Sequence, residues 1–297
     1  MARIAIAGAS GLVGVRLSTA LAADGHSLVR LVRRAPIGPG EVEWDPDRGR
    51  LESAALEGID GFVHLSGESI AAGRWSPARK RRLLESRTMT TRLVSAALAR
   101  LASKPVLLAA SAIGYYGDRG GEWVDETSRP GRGFLAELCV EWERACDAAR
   151  EAGLRVVNLR IGVVLDPSGG ALAAMLVPFR LGLGGRIGSG SQYLSWITLD
   201  DLIGVFRHAL VSSALSGPLN AVAPGPVTNA ELTRSLAGVL GRPAFLPVPA
   251  ALLRLALGEA ADEMLLGGAR VSSRKLEQSG FRFRDPQIQG ALKRLLT

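Results

Sequence analysis

Apolar positions along this chain follow two rhythms. Short, nearly continuous runs rich in Val, Ile and Leu occur at 3–7, 26–32, 61–67, 105–111 and 155–165. Between them lie segments whose apolar residues return every three or four positions. Continuous runs suit strands buried on both faces, and the longer period suits helices with one buried stripe. The pattern predicts helices over 12–23, from 77 to about 101, and over 134–152. Strands alternating with helices argue for an α/β fold, a Rossmann-type doubly wound parallel sheet. The run at 155–165 is expected to be central, because it is almost wholly apolar.

Other stretches break the rhythm. Residues 35–60 are turn-rich, with Pro36, Pro39 and Pro46, and glycines crowd 182–190. Thr198-Leu199-Asp200-Asp201 resembles a helix cap, and 219–222 reads as a short strand. Ser76-Pro77 supplies an N-cap with a proline behind it, and Thr228-x-x-Glu231 is a capping box. Helical spacing continues over 250–266, and Asp285-Pro286 is expected to open a last helix. The organisation expected is a dinucleotide-binding domain over 1–170, to which 195–222 returns. Residues 171–194 and 223–297 are expected to form a smaller mixed α/β substrate-side domain.

The first run ends in Gly8, Gly11 and Gly14, and a helix follows. A strand, tight turn and helix bring backbone N–H groups and a positive dipole end to one point, where a pyrophosphate fits. Gly8 permits the turn, Gly11 admits the phosphates, and Gly14 lets helix and strand approach closely. The second strand ends in Arg33-Arg34, where an NAD site commonly has an acidic residue. A guanidinium pairs with a 2′-phosphate and a carboxylate repels it, so the cofactor expected is NADP.

Composition adds limits. Apolar residues make up 47% of the 297, enough for a sizeable core. Cys139 and Cys146 share one predicted helix two turns apart, too far for a disulfide, which suits a reducing, cytoplasmic setting. No apolar run is long enough to span a membrane. The net charge of +8 comes almost wholly from arginine, and its densest cluster lies around Arg79-Lys80-Arg81-Arg82. No nucleic-acid motif accompanies it, so a solvated helix face is the reading preferred. His64 alternates with apolar residues and reads as a core histidine, and no Cys/His spacing suggests a metal. The partner expected is a small-molecule substrate, with neither nucleic acid nor membrane; monomer and homodimer both stay open.

Several motifs together resemble the extended short-chain dehydrogenase/reductase superfamily. They are Gly8-x-x-Gly11-x-x-Gly14, the strand ending Leu65-Ser66-Gly67, Ser111 with Tyr115-Tyr116-Gly117, and Leu159-Arg160-x-Gly162-Val163-Val164-Leu165. Within it the chain is similar to the NAD-dependent epimerase/dehydratase-like group often labelled "epimerase family protein". That narrower likeness rests on Gly67-Glu68-Ser69-Ile70, Arg74-Trp75, Ser86-Arg87, Gly188-Ser189-Gly190-Ser191-Gln192, Pro224-Gly225-Pro226 and Gly280-Phe281. The resemblance implies nucleotide contacts at Ser10, Gly11, Leu12 and Val13, at Arg33 and Arg34, at Leu65, Ser66 and Gly67, at Arg87, and near Val164.

The superfamily works with a serine, a tyrosine and a lysine four residues after the tyrosine. The three tyrosines here, Tyr115, Tyr116 and Tyr193, are followed at that distance by Arg119, Gly120 and Ile197. In the helix from Phe134, where the pair belongs, stand Phe134 and Leu138, which transfer no proton. Ser111 then becomes the candidate to orient a carbonyl and Tyr115 the candidate acid; Glu68 reads better as a loop carboxylate. The function expected is an NADP(H)-dependent oxidoreductase or epimerase acting on a small polar substrate, a sugar nucleotide among the candidates. The alternative is an NADP(H)-binding regulator or redox sensor without turnover.

Overall fold

The computed structural model describes residues 1–297. Strands β1 (Arg3–Ala7), β2 (Ser27–Val32), β3 (Glu41–Asp45), β4 (Arg50–Leu51), β5 (Gly61–His64), β6 (Val106–Ala112), β8 (Val156–Ile161) and β12 (Gly217–Ala221) form the main sheet. The smaller strands are β7 (Trp123–Val124), β9 (Val163–Asp166), β10 (Tyr193–Leu194), β11 (Trp196–Thr198), β13 (Val227–Thr228) and β14 (Arg270–Val271). The helices are α1 (Leu12–Ala23), α2 (Pro77–Ala99), α3 (Phe134–Arg144), α4 (Asp147–Glu151), α5 (Gly170–Arg180) and α6 (Leu199–Val211). They continue with α7 (Asn229–Leu240), α8 (Ala250–Leu257), α9 (Glu259–Ala261), α10 (Arg274–Gln278) and α11 (Ile288–Leu296).

The main sheet has the order β12-β8-β6-β5-β1-β2-β3-β4, parallel except for the terminal β3–β4 pair. The chain leaves β1 toward β2 and β3, then returns to the other side of β1 through β5. A crevice opens where the direction reverses, beyond the carboxyl ends of β1 and β5. Each face of the sheet carries a core. One packs Leu17 and Leu21 of α1 and Phe206 of α6 against Ile6, Val63 and Leu108. The other packs Val94 and Leu98 of α2 and Ala149 of α4 against Ala5, Phe62 and Leu107. A third core joins α5, α7 and α11 around Trp196.

Several expectations are refined. The run at 155–165 is two strands, because Gly162 turns the chain out of the main sheet. A Cβ at Gly162 would lie 2.7 Å from the Ser195 carbonyl oxygen, and β9 pairs with β11 instead. The helix at 134–152 breaks into α3 and α4. The apolar stretch 250–266 is α8, α9 and a π-helical turn, Asp262–Leu266. Leu276 and Phe281, expected in the smaller unit, belong to the first core. Asp285 does not cap a helix: it is buried, accepts from Thr198 Oγ1 at 2.9 Å and pairs with Arg294. The Ser76 cap, the Thr198 cap and the Thr228–Glu231 capping box are present. Both cysteines are free and buried. No helix is long and apolar enough to cross a membrane.

Candidate functional site

The crevice at the ends of β1 and β5 is a cleft of about 1040 Å³. Pockets for small molecules and cofactors usually span roughly 300–1,000 Å³. Gly8, Ser10, Gly11, Arg33, Arg34, Leu65, Ser66 and Gly67 all line it. Leu12, Val13 and Gly14 form the first turn of α1 behind that lining. Val164 stands off on β9, half-buried against the first core.

The three glycines have different causes. Gly8 has φ +84° and a Cβ there would stand 2.8 Å from the Leu65 carbonyl carbon. A Cβ on Gly14 would lie 2.2 Å from the Gly8 oxygen, so helix and turn touch only because Gly14 lacks a side chain. At Gly11 the protein imposes no such limit, since a Cβ would meet only the Gly8 oxygen at 3.6 Å. Gly11 is exposed and faces the cleft. It is also the N-cap of α1 and offers no side-chain acceptor to the free N–H groups of the first turn. No acidic residue stands in that turn. The open cradle and the positive helix end together suit an anion such as a pyrophosphate.

The paired arginines are not equivalent. Arg34 donates to both Glu41 oxygens, at 2.8 and 2.9 Å, and to the Ala35 carbonyl. Glu41 also accepts from the Ile37 N–H and lies 3.7 Å from Arg30. Hydrogen bonding from Arg34 holds the Glu41 carboxyl down to about 2. Arg33 makes no ion pair; its guanidinium lies 5.9 Å from the centroid of the buried Trp44 ring and lines the cleft.

Arg87 lies beneath Gly67. It is buried, donates to the Leu83 and Glu68 carbonyls at 3.0 and 2.7 Å, and stacks 5.1 Å from the Trp142 ring centroid. Burial lowers its pKa. Three members of the basic cluster are engaged, Arg79 and Arg82 with Glu68 at 2.8 and 3.9 Å, and Lys80 with Glu259. Glu68 is thus an ion-paired carboxylate. His64 is fully buried beside Thr90, and burial pushes its imidazole down to about 3, so it is neutral. No group of His, Cys, Asp and Glu is placed to hold a metal.

Ser111 is 2% exposed, and its hydroxyl donates to Glu143 Oε1 at 2.8 Å. Arg160 lies opposite on β8 and donates to the same carboxylate through Nε and Nη2, at 2.8 and 2.9 Å. Burial opposes the Arg160 charge, but Glu143 outweighs it and raises its pKa. Nη1 of Arg160 donates to the Tyr116 hydroxyl at 3.1 Å, which donates to Asn220 Oδ1 at 2.7 Å. Burial pushes Tyr116 up to about 12. The Ser111 hydroxyl is therefore spent inside the fold rather than aimed at a ligand. It reaches half-buried Tyr115 only through Glu143 and Arg160. Arg119 is not a partner for Tyr115, since it donates to the Tyr116 and Arg129 carbonyls.

Where the superfamily's tyrosine and lysine belong, the structure is apolar. The Phe134 ring packs edge-on against Trp75 at 5.2 Å, and Leu138 is buried in the same cluster. Glu41, Trp44, Glu143 and Asn220 are site residues that sequence reasoning missed. Arg160 left a signal: a charge inside a strand buried on both faces requires a counter-ion.

Comparisons with known proteins identify the family and the fold. The model of the NAD dependent epimerase/dehydratase family matches residues 4–220, and a domain of unknown function (DUF1731) matches 248–295. An epimerase family protein of Mycobacterium bovis, Mb2239, is 46% identical over 97% of this chain and 96% of its own. The human epimerase family protein SDR39U1, solved with NADPH, superposes with a TM-score of 0.89 at 36% identity, over 99% of this chain and 98% of that one. A Corynebacterium glutamicum protein described as a nucleoside-diphosphate sugar epimerase superposes at 0.83 with 35% identity, over 99% of this chain and 58% of that one.

Proposed function

This chain belongs to the NAD dependent epimerase/dehydratase family, and on that footing we propose that it binds NADP(H) in the cleft and acts as an oxidoreductase or epimerase on a small molecule. The observation that carries this reading is Gly11: nothing in the protein forbids a side chain there, and the space it leaves faces the cleft. The first turn of α1 would hold the pyrophosphate and Arg33 the 2′-phosphate, with Leu65 to Gly67 flanking the adenosine side. The cofactor's likeness in the human relative, solved with NADPH, supports the same assignment. When bound, the nicotinamide supplies hydride transfer. Tyr115 is the residue proposed to exchange a proton with substrate, and Ser111, Glu143 and Arg160 position it.

One observation favours a second reading. Phe134 and Leu138 are packed as core, which suits a nucleotide-binding regulator without turnover. Separate thermal melts with NADPH and NADH test the cofactor assignment, because a ligand of the native state stabilises it by RT ln(1 + [L]/Kd). A larger rise with NADPH is expected; equal shifts, or none, remove the 2′-phosphate argument. Sustained NADPH oxidation lost in Tyr115→Phe excludes the regulator.

A further inference from the structure

Exposed apolar side chains are concentrated in one region of the surface. Of the thirteen large ones in the chain, seven lie between 177 and 183 or between 245 and 255. Isolated exposed apolar residues need no explanation, but a patch of them marks an interaction surface. The two stretches are neighbours in space. The Val248 N–H donates to the Arg186 carbonyl and the Gly188 N–H to the Val248 carbonyl, both at 2.9 Å. A Cβ on Gly182 would lie 3.6 Å from the Pro243 ring. Leu181 and Leu183 are exposed on one stretch, and Phe245 is 74% exposed on the other.

Helix α8 extends this face. Seven of its eight residues are apolar, and none is buried. A helix apolar on every side normally lies inside a protein or against a partner. Leu253 and Leu257, four apart, share the half-buried side, where Leu257 packs on the cluster of Trp75 and Trp142. Leu252 and Leu255, three apart, share another side and are exposed.

The charge of the face has one sign. Residues 171–190 and 241–258 include Arg180, Arg186, Arg242 and Arg254, and no Asp or Glu. Arg254 pairs with Asp262 at 2.8 Å, and Arg186 donates to the Ser189 carbonyl. Arg180 and Arg242 are exposed and make no ion pair. A second copy related by a two-fold axis would set these arginines against themselves. Leu181, Phe245 and Leu255 line neither the nucleotide cleft nor the cavity beside Lys275, so they do not wall a hollow that would receive a partner's helix. Anionic lipid matches both features: apolar side chains enter the headgroup–acyl boundary, and guanidinium groups meet the lipid phosphates while their stems stay against apolar surface.

We propose that this face docks on the surface of an anionic lipid bilayer, with Leu181, Leu183, Phe245, Leu252 and Leu255 entering the headgroup region and Arg180 and Arg242 against lipid phosphates. Peripheral docking of this kind needs no membrane-spanning helix, and there is none. It is independent of the cofactor reading.

Flotation of the full chain with vesicles tests it, using equimolar phosphatidylglycerol and phosphatidylcholine in one arm and phosphatidylcholine alone in the other. The chain is expected to float with the anionic vesicles and not with the neutral ones. Phe245→Ser with Leu255→Ser should weaken partitioning about tenfold or more, and so should Arg180→Glu with Arg242→Glu. Arg92→Glu with Arg100→Glu changes the net charge equally on α2 and should cost far less. All these positions are exposed, so melting temperatures should stay within a few degrees of wild type; two variant pairs on the face guard against one misfolding. Equal flotation with both vesicles, loss as large in the α2 pair as in the arginine pair on the face, or flotation indifferent to Phe245→Ser with Leu255→Ser overturns the proposal, the last two reducing it to adsorption of a basic protein. No flotation with either vesicle overturns it in favour of a protein partner. A dimer in sedimentation velocity that Phe245→Ser with Leu255→Ser disperses overturns it in favour of a second copy.

Discussion

The guanidinium carbon of Arg160 lies 3.4 Å from the centroid of the Tyr115 ring. Stacking this close fixes the ring against a group that is itself held by two hydrogen bonds to Glu143. Tyr115 thus has its orientation set from the sheet beneath it, without the neighbouring lysine that the superfamily uses.

Breaking that support has a calculable cost. Glu143→Ala leaves the 3%-exposed Arg160 without its counter-ion, and removing one partner of a buried pair costs about 3–5 kcal/mol. Ser111→Ala removes a single hydrogen bond and should cost about 1 kcal/mol. Urea unfolding of the two variants should show that ordering. Equal losses would mean that the carboxylate is not the hub of the network.

Arg33 and Arg34 should separate. Arg34 is tied to Glu41 and Arg33 is not, so Arg33→Ala should lower NADPH affinity about tenfold or more, with little change for NADH. Arg34→Ala should act mainly on the loop that Glu41 anchors, lowering melting temperature more than it alters the NADPH-to-NADH ratio. Calorimetric titration of each variant with both nucleotides reads the difference.

Much of the fold was legible. Buried parallel strands impose continuous apolar runs, and a turn that needs φ above zero beside a close helix imposes glycine at 8 and 14. The support for the candidate site was hidden for a physical reason. Glu143 shares α3 with the solvent-facing Glu137 and Glu141, and one-dimensional spacing does not say which acid meets Arg160 across the sheet. The run 155–165 reads as one strand because the carbonyl that Gly162 must avoid, that of Ser195, comes from a segment distant in sequence. The last helix begins two residues beyond the Asp-Pro step, at Ile288, and the Asp285–Arg294 pair spans that start, a contact that local spacing does not announce.

His64 should make stability depend on acid. Its folded pKa of about 3 lies below its ordinary 6.5, so the unfolded chain binds a proton in that interval and the native state does not. Stability should fall as pH drops from 6.5 toward 3, with a limiting slope of about 1.4 kcal/mol per pH unit for one proton. Glu41, held down to about 2 from 4.5, has the carboxylate sign: its contribution is full above 4.5 and is lost as pH falls toward 2. His64→Leu should flatten the profile between 6.5 and 4.5, above the Glu41 interval. An unchanged slope there would place a charged histidine in the fold.

Both cysteines should resist thiol reagents in the native protein. Burial pushes Cys139 up to about 12 and Cys146 up to about 11, and the reactive species is the thiolate. A disulfide-exchange reagent at mildly alkaline pH should count no thiols before denaturant and two after it. Rapid native labelling would contradict the packing of α3 against β6.

We propose that the glycine cradle at the end of β1 is kept open for a nucleotide. Calorimetric titration of NADPH into the wild-type chain and into Gly11→Ala tests it most directly, because the added methyl meets only the Gly8 oxygen at an ordinary 3.6 Å. The variant should melt within a few degrees of wild type and bind NADPH at least about tenfold more weakly. Equal affinity in the two proteins, or no binding by wild type, would mean that Gly11 is not kept open for a nucleotide.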